Sequence, residues 1–161
     1  MARVGISLGS NLGDRLGNLR AAVAKLRPLL SGPHLLVSPV YETEPVNCPP
    51  GSGAFYNAVV EIETALAPLQ LLAATQTIER ELGRPAEREI NAPRTVDLDL
   101  LYYDDRSFHG PGLVLPHPRM AGRAFVLKPL AAIRPDLVPA EQRHILDDPE
   151  VRLVSGASLS A

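Results

Sequence analysis

The most informative run of the chain is Pro93-Arg94-Thr95-Val96-Asp97-Leu98-Asp99-Leu100-Leu101-Tyr102-Tyr103. Aliphatic, β-branched and aromatic residues fill it, and a proline bounds its start, so it is predicted to be a β-strand. Because strand side chains alternate between the two faces of a sheet, Asp97 and Asp99 share one face while the alternate aliphatic residues point into a core. The run therefore predicts a half-buried strand that displays two carboxylates.

Asp97 and Asp99 form a candidate metal site. At about 3.3 Å rise per residue they lie roughly 6–7 Å apart, and they repel each other unless a cation sits between them. Hard oxygen ligands of this kind suit Mg²⁺, which usually enters such sites together with substrate phosphates. Arg94, just upstream, could hold a phosphate oxygen through its planar guanidinium. The alternative is a solvated strand face with two exposed acids.

The flanking segments predict the order strand, helix, strand, strand, helix, strand. Strands are expected at 3–8, 34–43 and 55–63; one helix follows the cap Asp14, and a second begins at Pro68 and ends at Gly83. This order fits an α+β fold, a ferredoxin-like βαββαβ core with helices on one face of an antiparallel sheet. A hairpin is expected at 106–115 and short helices at 118–133. The chain, 1–161, is predicted to be a single domain whose small, polar tail, 148–161, frays.

The composition excludes several classes of protein. The chain has 161 residues, 45% of them hydrophobic and 21% charged, which is typical of a globular domain. A net charge of −2 argues against a nucleic-acid partner. No apolar run approaches the roughly 20 residues that cross a bilayer, and no signal segment opens the chain, so no membrane association is expected. Cys48 is the single cysteine, which excludes an intrachain disulfide and makes the cytoplasm the expected location.

Several short segments together resemble one enzyme family. The segment APRTVDLDLL at 92–101 resembles the signature of the hydroxymethyldihydropterin pyrophosphokinases of folate biosynthesis. Four further segments agree in order and spacing, namely GSNLGD at 9–14, SPVYETEP at 38–45, FYNAV at 55–59 and LPHPRM at 115–120, and RAFVL at 123–127 completes the set. GSNLGD lacks the Gly-Lys-Ser/Thr ending of a phosphate loop, so a turn with a helix cap is the better interpretation of that segment.

The resemblance implies transfer of pyrophosphate from ATP to 6-hydroxymethyl-7,8-dihydropterin, with release of AMP. Asp97 and Asp99 would then be catalytic residues that hold two Mg²⁺ ions on the triphosphate. Arg84 and Arg94 would be catalytic residues at the two ends of a loop that closes over ATP. The residues that the resemblance assigns to ATP are Gln76, Glu79, Arg84, Leu100, His117 and Arg123. ATP and the pterin would be the partners of a chain that acts as a monomer.

The resemblance also implies a pterin pocket. A flat bicyclic ring requires aromatic faces to stack on and an amide that reads its edge. The residues assigned to it are Thr43, Glu44, Pro45, Val46, Phe55, Asn57 and Phe125. The alternatives stay open at this point: core packing for the two Phe residues, exposed polar positions on a helix for Gln76 and Glu79, and a structural hydrogen bond for His117.

One loop departs from the family pattern, and two other functions remain possible. Where many relatives carry a basic residue and a Trp, this chain has Ile90 and Asn91, and Arg88 offers a charge from a shifted position. A non-catalytic ferredoxin-like binding module is one alternative, although the strand at 4–8 has no aromatic residue on which RNA bases could stack. Another magnesium-dependent nucleotidyl or phosphoryl transferase that reuses the Asp-x-Asp strand is the second.

Overall fold

A six-stranded sheet forms the centre of the computed structural model, which describes residues 1–44, 53–83 and 95–159. The strands are β1 (Ala2–Ser10), β2 (Leu35–Val37), β3 (Tyr41–Thr43), β4 (Phe55–Thr64), β5 (Asp97–Tyr103) and β8 (Val151–Leu153), and β6 (Phe108–Gly110) pairs with β7 (Leu113–Leu115) in a separate hairpin. The helices are α1 (Arg15–Leu26), α2 (Pro68–Glu81) and α3 (Ala124–Ile133), with 3-10 turns at Arg27–Leu29, Met120–Gly122, Pro135–Leu137 and Ala140–Asp147.

The sheet is antiparallel throughout its described pairs and runs in the order β5-β1-β4-β3-β8, with β2 also paired to β4. β1 is an interior strand between β5 and β4, and its apolar residues are buried because both faces of the sheet are covered. The predicted α+β class with an antiparallel sheet is confirmed. The predicted hairpin is confirmed as well, since β6 and β7 lie within 106–115.

The helices cover both faces of the sheet, not one. α1 and α2 pack on the face that carries Val4, Ile6 and Leu8 of β1. α3 packs on the opposite face, where Val59 and Leu101 meet its apolar residues. The second face is apolar in its middle and must be covered, which the alternation along each strand alone did not reveal. Across the described residues, no helix combines the length and the apolarity needed to cross a bilayer.

Helix boundaries follow the predicted caps, whereas one predicted strand is divided. The Asp14 carboxylate accepts a hydrogen bond of 3.0 Å from the backbone N of Gly17 and so caps α1. Gly83 follows α2 with a φ of +102°, the conformation that favours glycine at a helix end. The strand predicted at 34–43 is two strands, β2 and β3, because Pro39 lacks a backbone N–H and the hydroxyl of Ser38 accepts the N–H of Val59 at 2.9 Å.

The prediction that residues 148–161 fray is wrong for the described part of this tail. β8 pairs with β3, and Val151 and Leu159 are buried. The ammonium of Lys128, in α3, donates to the backbone oxygens of Asp148 (3.0 Å) and Val151 (2.6 Å). Small polar residues predicted disorder, but a strand edge and the half-buried Lys128 supply the contacts that hold the tail in place.

Gly5 is required by a close approach of two strands. The Tyr102 ring of β5 lies over it, and a Cβ at position 5 would be 2.1 Å from Tyr102 Cε2. We expect Gly5→Ala to lower the free energy of unfolding by about 1–3 kcal/mol, because the ring must be displaced from a packed site. Thermal unfolding followed by circular dichroism measures this.

Gly122→Ala is the matched control, because a Cβ there would meet no atom within 4 Å. A Gly5→Ala variant that unfolds at the same temperature as the Gly122→Ala variant would contradict the proposed steric role of Gly5.

Candidate active site

Three neighbouring strands bring the candidate residues onto one face of the sheet. Gly9 of β1 pairs with Asp97 of β5 on one side and with Asn57 of β4 on the other. Paired residues point to the same face, so the acid and the amide face the same side about 10 Å apart, two strand spacings. A Cβ at position 9 would lie 3.2 Å from Asn57 Oδ1 and 3.6 Å from Phe55 Cδ1. Glycine at this position therefore leaves the space between the acid pair and the amide open.

The acid pair lies on β5, which is hydrogen-bonded to α2 on the opposite face of the sheet. Asp97 and Asp99 are half-buried, while Leu98 between them is buried with the core. The carboxylate of Glu79, in α2, accepts the backbone N–H of Leu98 at 2.8 Å. Glu79 is only 6% exposed, so it is not the exposed helix residue that the alternative interpretation described. It ties α2 to the strand between the two acids and thereby fixes where they stand.

His117 lies beside the acid pair and is held by two backbone contacts. The backbone N–H of His117 donates to the backbone oxygen of Leu101 at 2.7 Å, and its ring Nδ1 accepts the backbone N–H of Arg119 at 3.1 Å. Burial lowers the pKa of His117 below its ordinary value of 6.5, Asp99 acts to raise it, and Arg123 and Arg119 lower it further. The ring is therefore neutral at pH 7, and the Nδ1 contact assigns its proton to Nε2. His117 can donate one hydrogen bond to an anion without titrating.

The predicted pterin residues that the structure describes lie on adjacent strands and at the start of α3. Asn57 Nδ2 donates to Thr43 Oγ1 at 2.8 Å, and both side chains are buried. Phe55 pairs with Thr43 across β3 and β4. Phe125 packs at the edge of the second core, with the guanidinium of Arg123 5.5 Å from its ring centroid. An amide, a hydroxyl and two half-buried rings are thus available on this side of the acid pair.

The remaining predicted residues fall into two groups, those that the structure describes and those that lie outside the described residues. Gln76 is exposed on α2, as both interpretations allow, and the side chain of Leu100 is buried in the core, so an ATP contact from that side chain is not supported. Glu44 is exposed and is paired with Arg152 at 3.2 Å. The other predicted site residues, Arg84, Arg94, Pro45 and Val46, lie outside the described residues, as do Cys48, Arg88, Ile90 and Asn91.

Two groups of polar residues were missed by reasoning from the sequence. Arg152 of β8 pairs with Glu42 and Glu44 and so braces the strand that carries Thr43; nothing in the polar tail indicated this. Glu61 is fully buried on β4, four residues from Asn57. A charged residue between Val60 and Ile62 on a buried strand was the signal that could have found it.

Any divalent metal bound at this face would depend on Asp97 and Asp99. Within 1–44, 53–83 and 95–159 no group of three or more His, Cys, Asp or Glu residues is placed to hold a metal ion. A site with two carboxylates is typical of Mg²⁺ that completes its coordination with water and phosphate oxygens. The residues therefore fit a metal that arrives with a nucleotide.

Comparison with known proteins agrees with this arrangement. Residues 5–135 match the model of the 7,8-dihydro-6-hydroxymethylpterin-pyrophosphokinase (HPPK) family. The chain belongs to the HPPK family. It is 48% identical over 129 residues to the 2-amino-4-hydroxy-6-hydroxymethyldihydropteridine pyrophosphokinase of Bacillus subtilis, covering 80% of this chain and 75% of that one. It is 41% identical over 143 residues to the Pseudomonas aeruginosa protein of the same name, covering 89% and 87%.

Other HPPK relatives are longer proteins. The chain is 41% identical over 133 residues to the folic acid synthesis protein fol1 of Schizosaccharomyces pombe. This alignment covers 83% of this chain but only 18% of the relative. A crystal structure of Plasmodium falciparum HPPK-DHPS with pterin and p-hydroxybenzoate aligns with a TM-score of 0.66 at 16% identity, covering 90% of this chain and 41% of that one. The structural likeness supports the HPPK fold.

Proposed function

We propose that the chain transfers the pyrophosphoryl group of ATP to the hydroxymethyl oxygen of 6-hydroxymethyl-7,8-dihydropterin in folate biosynthesis. The family match over 5–135 carries this proposal. The facing of Asp97 and Asn57 across Gly9 supports it, because one face then offers acids for a nucleotide-bound metal and an amide for a heterocycle. The reaction joins that oxygen to the β-phosphorus, breaks the bond from the β-phosphorus to the α–β bridging oxygen, and releases AMP and the hydroxyl proton.

Asp97 and Asp99 are the residues that would hold magnesium, and we propose two ions. Both carboxylates are half-buried on one face, and the Glu79 contact with Leu98 prevents the strand between them from shifting. When bound, magnesium offsets the charge of the triphosphate and fixes the orientation of its oxygens. The role of the chain is to keep the two acids in place before the nucleotide arrives, so that little ordering remains at the moment of reaction.

His117 and Arg123 are proposed to contact the phosphates. The neutral His117 ring offers its Nε2 proton to a phosphate oxygen, and it holds this form because its pKa is lowered. Arg123 is the residue immediately before α3, and it lies near enough to His117 to lower that pKa. Arg84 and Arg94 are proposed to neutralise the charge on the transferred group, in the family pattern. We also propose that ATP is contacted by Gln76, Glu79 and the backbone of Leu100.

The pterin is proposed to bind beside Asn57. Phe55 and Phe125 offer ring faces for stacking, and the buried amide of Asn57 reads the ring edge while Thr43 holds its orientation. Glu44, Pro45 and Val46 are proposed to complete the pocket. The chain is also proposed to act as a monomer.

An assay of AMP release tests the proposed function. With ATP, magnesium and hydroxymethyldihydropterin we expect AMP and the pterin diphosphate in equal amounts, because attack at the β-phosphorus leaves AMP as the other product. Labelled ATP with chromatographic separation measures both. Omission of the pterin and addition of a chelator are the controls, and each should abolish AMP formation.

Three outcomes would count against the proposal. ADP in place of AMP would contradict attack at the β-phosphorus. Equal transfer to nucleosides or sugars would favour a different phosphoryl or nucleotidyl transferase. Tight, salt-sensitive binding of single-stranded RNA without turnover would favour a binding module.

A further inference from the structure

Glu61 forms a buried charged cluster at the other end of the sheet face that carries the candidate active site. Its side chain is fully buried and accepts hydrogen bonds from the Tyr102 hydroxyl (2.5 Å), His34 Nε2 (2.7 Å) and Arg134 Nη1 (2.5 Å). Asp136 holds the rest of the Arg134 guanidinium through bonds of 2.9 Å from Nε and 2.8 Å from Nη2. One carboxylate therefore has three donors from three separate parts of the chain.

The carboxylate of Glu61 is ionised at neutral pH. Burial acts to raise its pKa, but hydrogen bonds from Tyr102 and His34 and the charge of Arg134 outweigh burial, so the pKa lies below its ordinary value of 4.5. Buried ion clusters can often be replaced by apolar residues of similar volume without loss of stability. Stability alone therefore does not explain a carboxylate here. A hydrogen-bonded charge also imposes direction on the groups around it.

The cluster joins the three elements that carry the candidate site. One row of paired residues crosses β5, β1 and β4 through Tyr102, Gly5 and Glu61. A parallel row, which belongs to the candidate site, crosses the same strands through Asp97, Gly9 and Asn57. Because Gly5 has no side chain, the Tyr102 ring passes over β1 to reach Glu61. The same carboxylate thus ties the acid strand β5 to the amide strand β4.

Arg134 ties α3 to that row. It follows the last residue of α3, whereas Arg123 and Phe125 are at the beginning of the helix, roughly 14–16 Å away at 1.5 Å per residue. Val126, Leu127 and Leu130 pack α3 against the sheet. Apolar packing is non-directional, so it limits rotation and sliding of a short helix less sharply than a charged hydrogen bond does.

We propose that Glu61 is a positioning residue: it anchors the end of α3 through Arg134 and the acid strand through Tyr102, and so keeps Arg123 and Phe125 in register with Asp97, Asp99 and Asn57. The consequence for turnover rests on the proposed function. A misplacement of about 1 Å can lower a rate by on the order of a hundredfold, so a distant anchor can affect chemistry without touching a substrate.

Hydrogen exchange tests the anchor without any substrate. Val126 and Leu127 donate their N–H groups to the oxygen of Arg123, at the site end of α3. We expect Glu61→Gln and Arg134→Met to speed exchange at these two amides by about tenfold or more, because each variant loses the charged contact at the other helix end. Arg134→Met leaves Glu61 bonded to Tyr102 and His34, so it remains informative if Glu61→Gln folds poorly.

Val23→Ala is the matched control. Val23 is a buried residue of α1, which packs on the face of the sheet opposite to α3, so its truncation lowers stability without touching the Glu61 cluster. We expect exchange at Val126 and Leu127 to change in this variant only as much as global stability does. Unchanged exchange in both cluster variants, or an equal change in Val23→Ala at equal stability, would overturn the anchor.

Kinetics then test the consequence for the reaction. We expect Glu61→Gln and Arg134→Met each to lower kcat for AMP release by about tenfold or more, with the dissociation constant for ATP within about threefold, because misplacement affects the transition state most. The double variant should be no slower than the slower single variant, since both substitutions break one unit. A kcat equal to that of Val23→Ala would overturn the positioning role. Failure of the unmodified chain to release AMP would instead overturn the proposed function, and hydrogen exchange would still decide the anchor.

Discussion

Asp97→Asn and Asp99→Asn will each lower kcat/KM for AMP release by on the order of a thousandfold, which is the largest effect we expect from any single substitution. A metal ion supplies several kcal/mol of stabilisation to the charge that develops in a transition state, and about 1.4 kcal/mol corresponds to a factor of ten in rate. An amide in place of a carboxylate keeps the size of the side chain but removes the negative charge that is proposed to hold the ion.

The backbone around the two acids should not change in these variants. Leu98 between them is held by a hydrogen bond from its backbone N–H to Glu79, which neither substitution alters. The acids should also act as one unit, so the double variant Asp97→Asn/Asp99→Asn should lose little more than either single variant. The measurements are initial rates of AMP release across a magnesium titration and ATP binding by calorimetry with and without magnesium.

Asp105→Asn is the control for removal of a negative charge from the same part of the chain. Asp105 is exposed and lies two residues after the end of β5. This variant should retain the rate and the magnesium dependence of the unmodified chain. A rate within tenfold of normal for either Asp97→Asn or Asp99→Asn would remove that residue from the mechanism, because one metal-binding carboxylate would then be dispensable.

Features that depend on short stretches of sequence were predictable. Alternation along one strand was enough to place Asp97 and Asp99 on the same face, because the period of a strand is fixed by its backbone. The helix cap at Asp14 follows from its carboxylate side chain. The helix end at Gly83 follows from the ability of glycine to adopt a positive φ. The resemblance supplied the family, which the match over 5–135 confirms.

Features that depend on pairing between distant strands were not predictable from these patterns. Between Gly5 and Ile6 the register with β5 shifts, so Leu101 and Tyr102 both contribute to the core under α3. A bulge of this kind breaks the alternation on which strand prediction relies. The interaction of Tyr102 with Glu61 depends on this shift. Neither residue indicates it alone, because they are 41 positions apart.

The same limit explains the tail. Its composition predicted fraying, but composition contains no information about an unpaired strand edge elsewhere. β3 offers such an edge, and Val151, Arg152 and Leu153 occupy it. Arg152 then pairs with Glu42 and Glu44, next to Thr43 of the candidate pterin pocket. Long-range pairing thus makes the tail a brace for the site.

Asn57→Leu will raise the KM for the pterin by about a hundredfold or more and leave the dissociation constant for ATP nearly unchanged. A site that is built to hydrogen-bond a substrate loses far more than one interaction when its polar group is removed, since the substrate atoms are then buried without partners. Leucine keeps the branched heavy-atom skeleton of asparagine but has no polar atom, so the change removes the amide's hydrogen bonds. Initial rates at varied pterin and saturating ATP measure the effect.

Thr43→Val separates the amide itself from its support. It removes the hydroxyl that accepts from Asn57 Nδ2 at 2.8 Å but leaves the amide in place. We expect a smaller rise in KM for the pterin, about tenfold, because the amide loses a bond of roughly 1.4 kcal/mol that fixes its orientation. The two rises should then differ by about tenfold, since Asn57→Leu removes the group that is proposed to read the ring, whereas Thr43→Val only loosens it. Equal effects of the two variants would mean that Asn57 orients Thr43 and does not contact the pterin. Equal losses of ATP and pterin affinity in Asn57→Leu would mean that the substitution disturbs the whole sheet face, because ATP is proposed to bind about two strands away at Asp97.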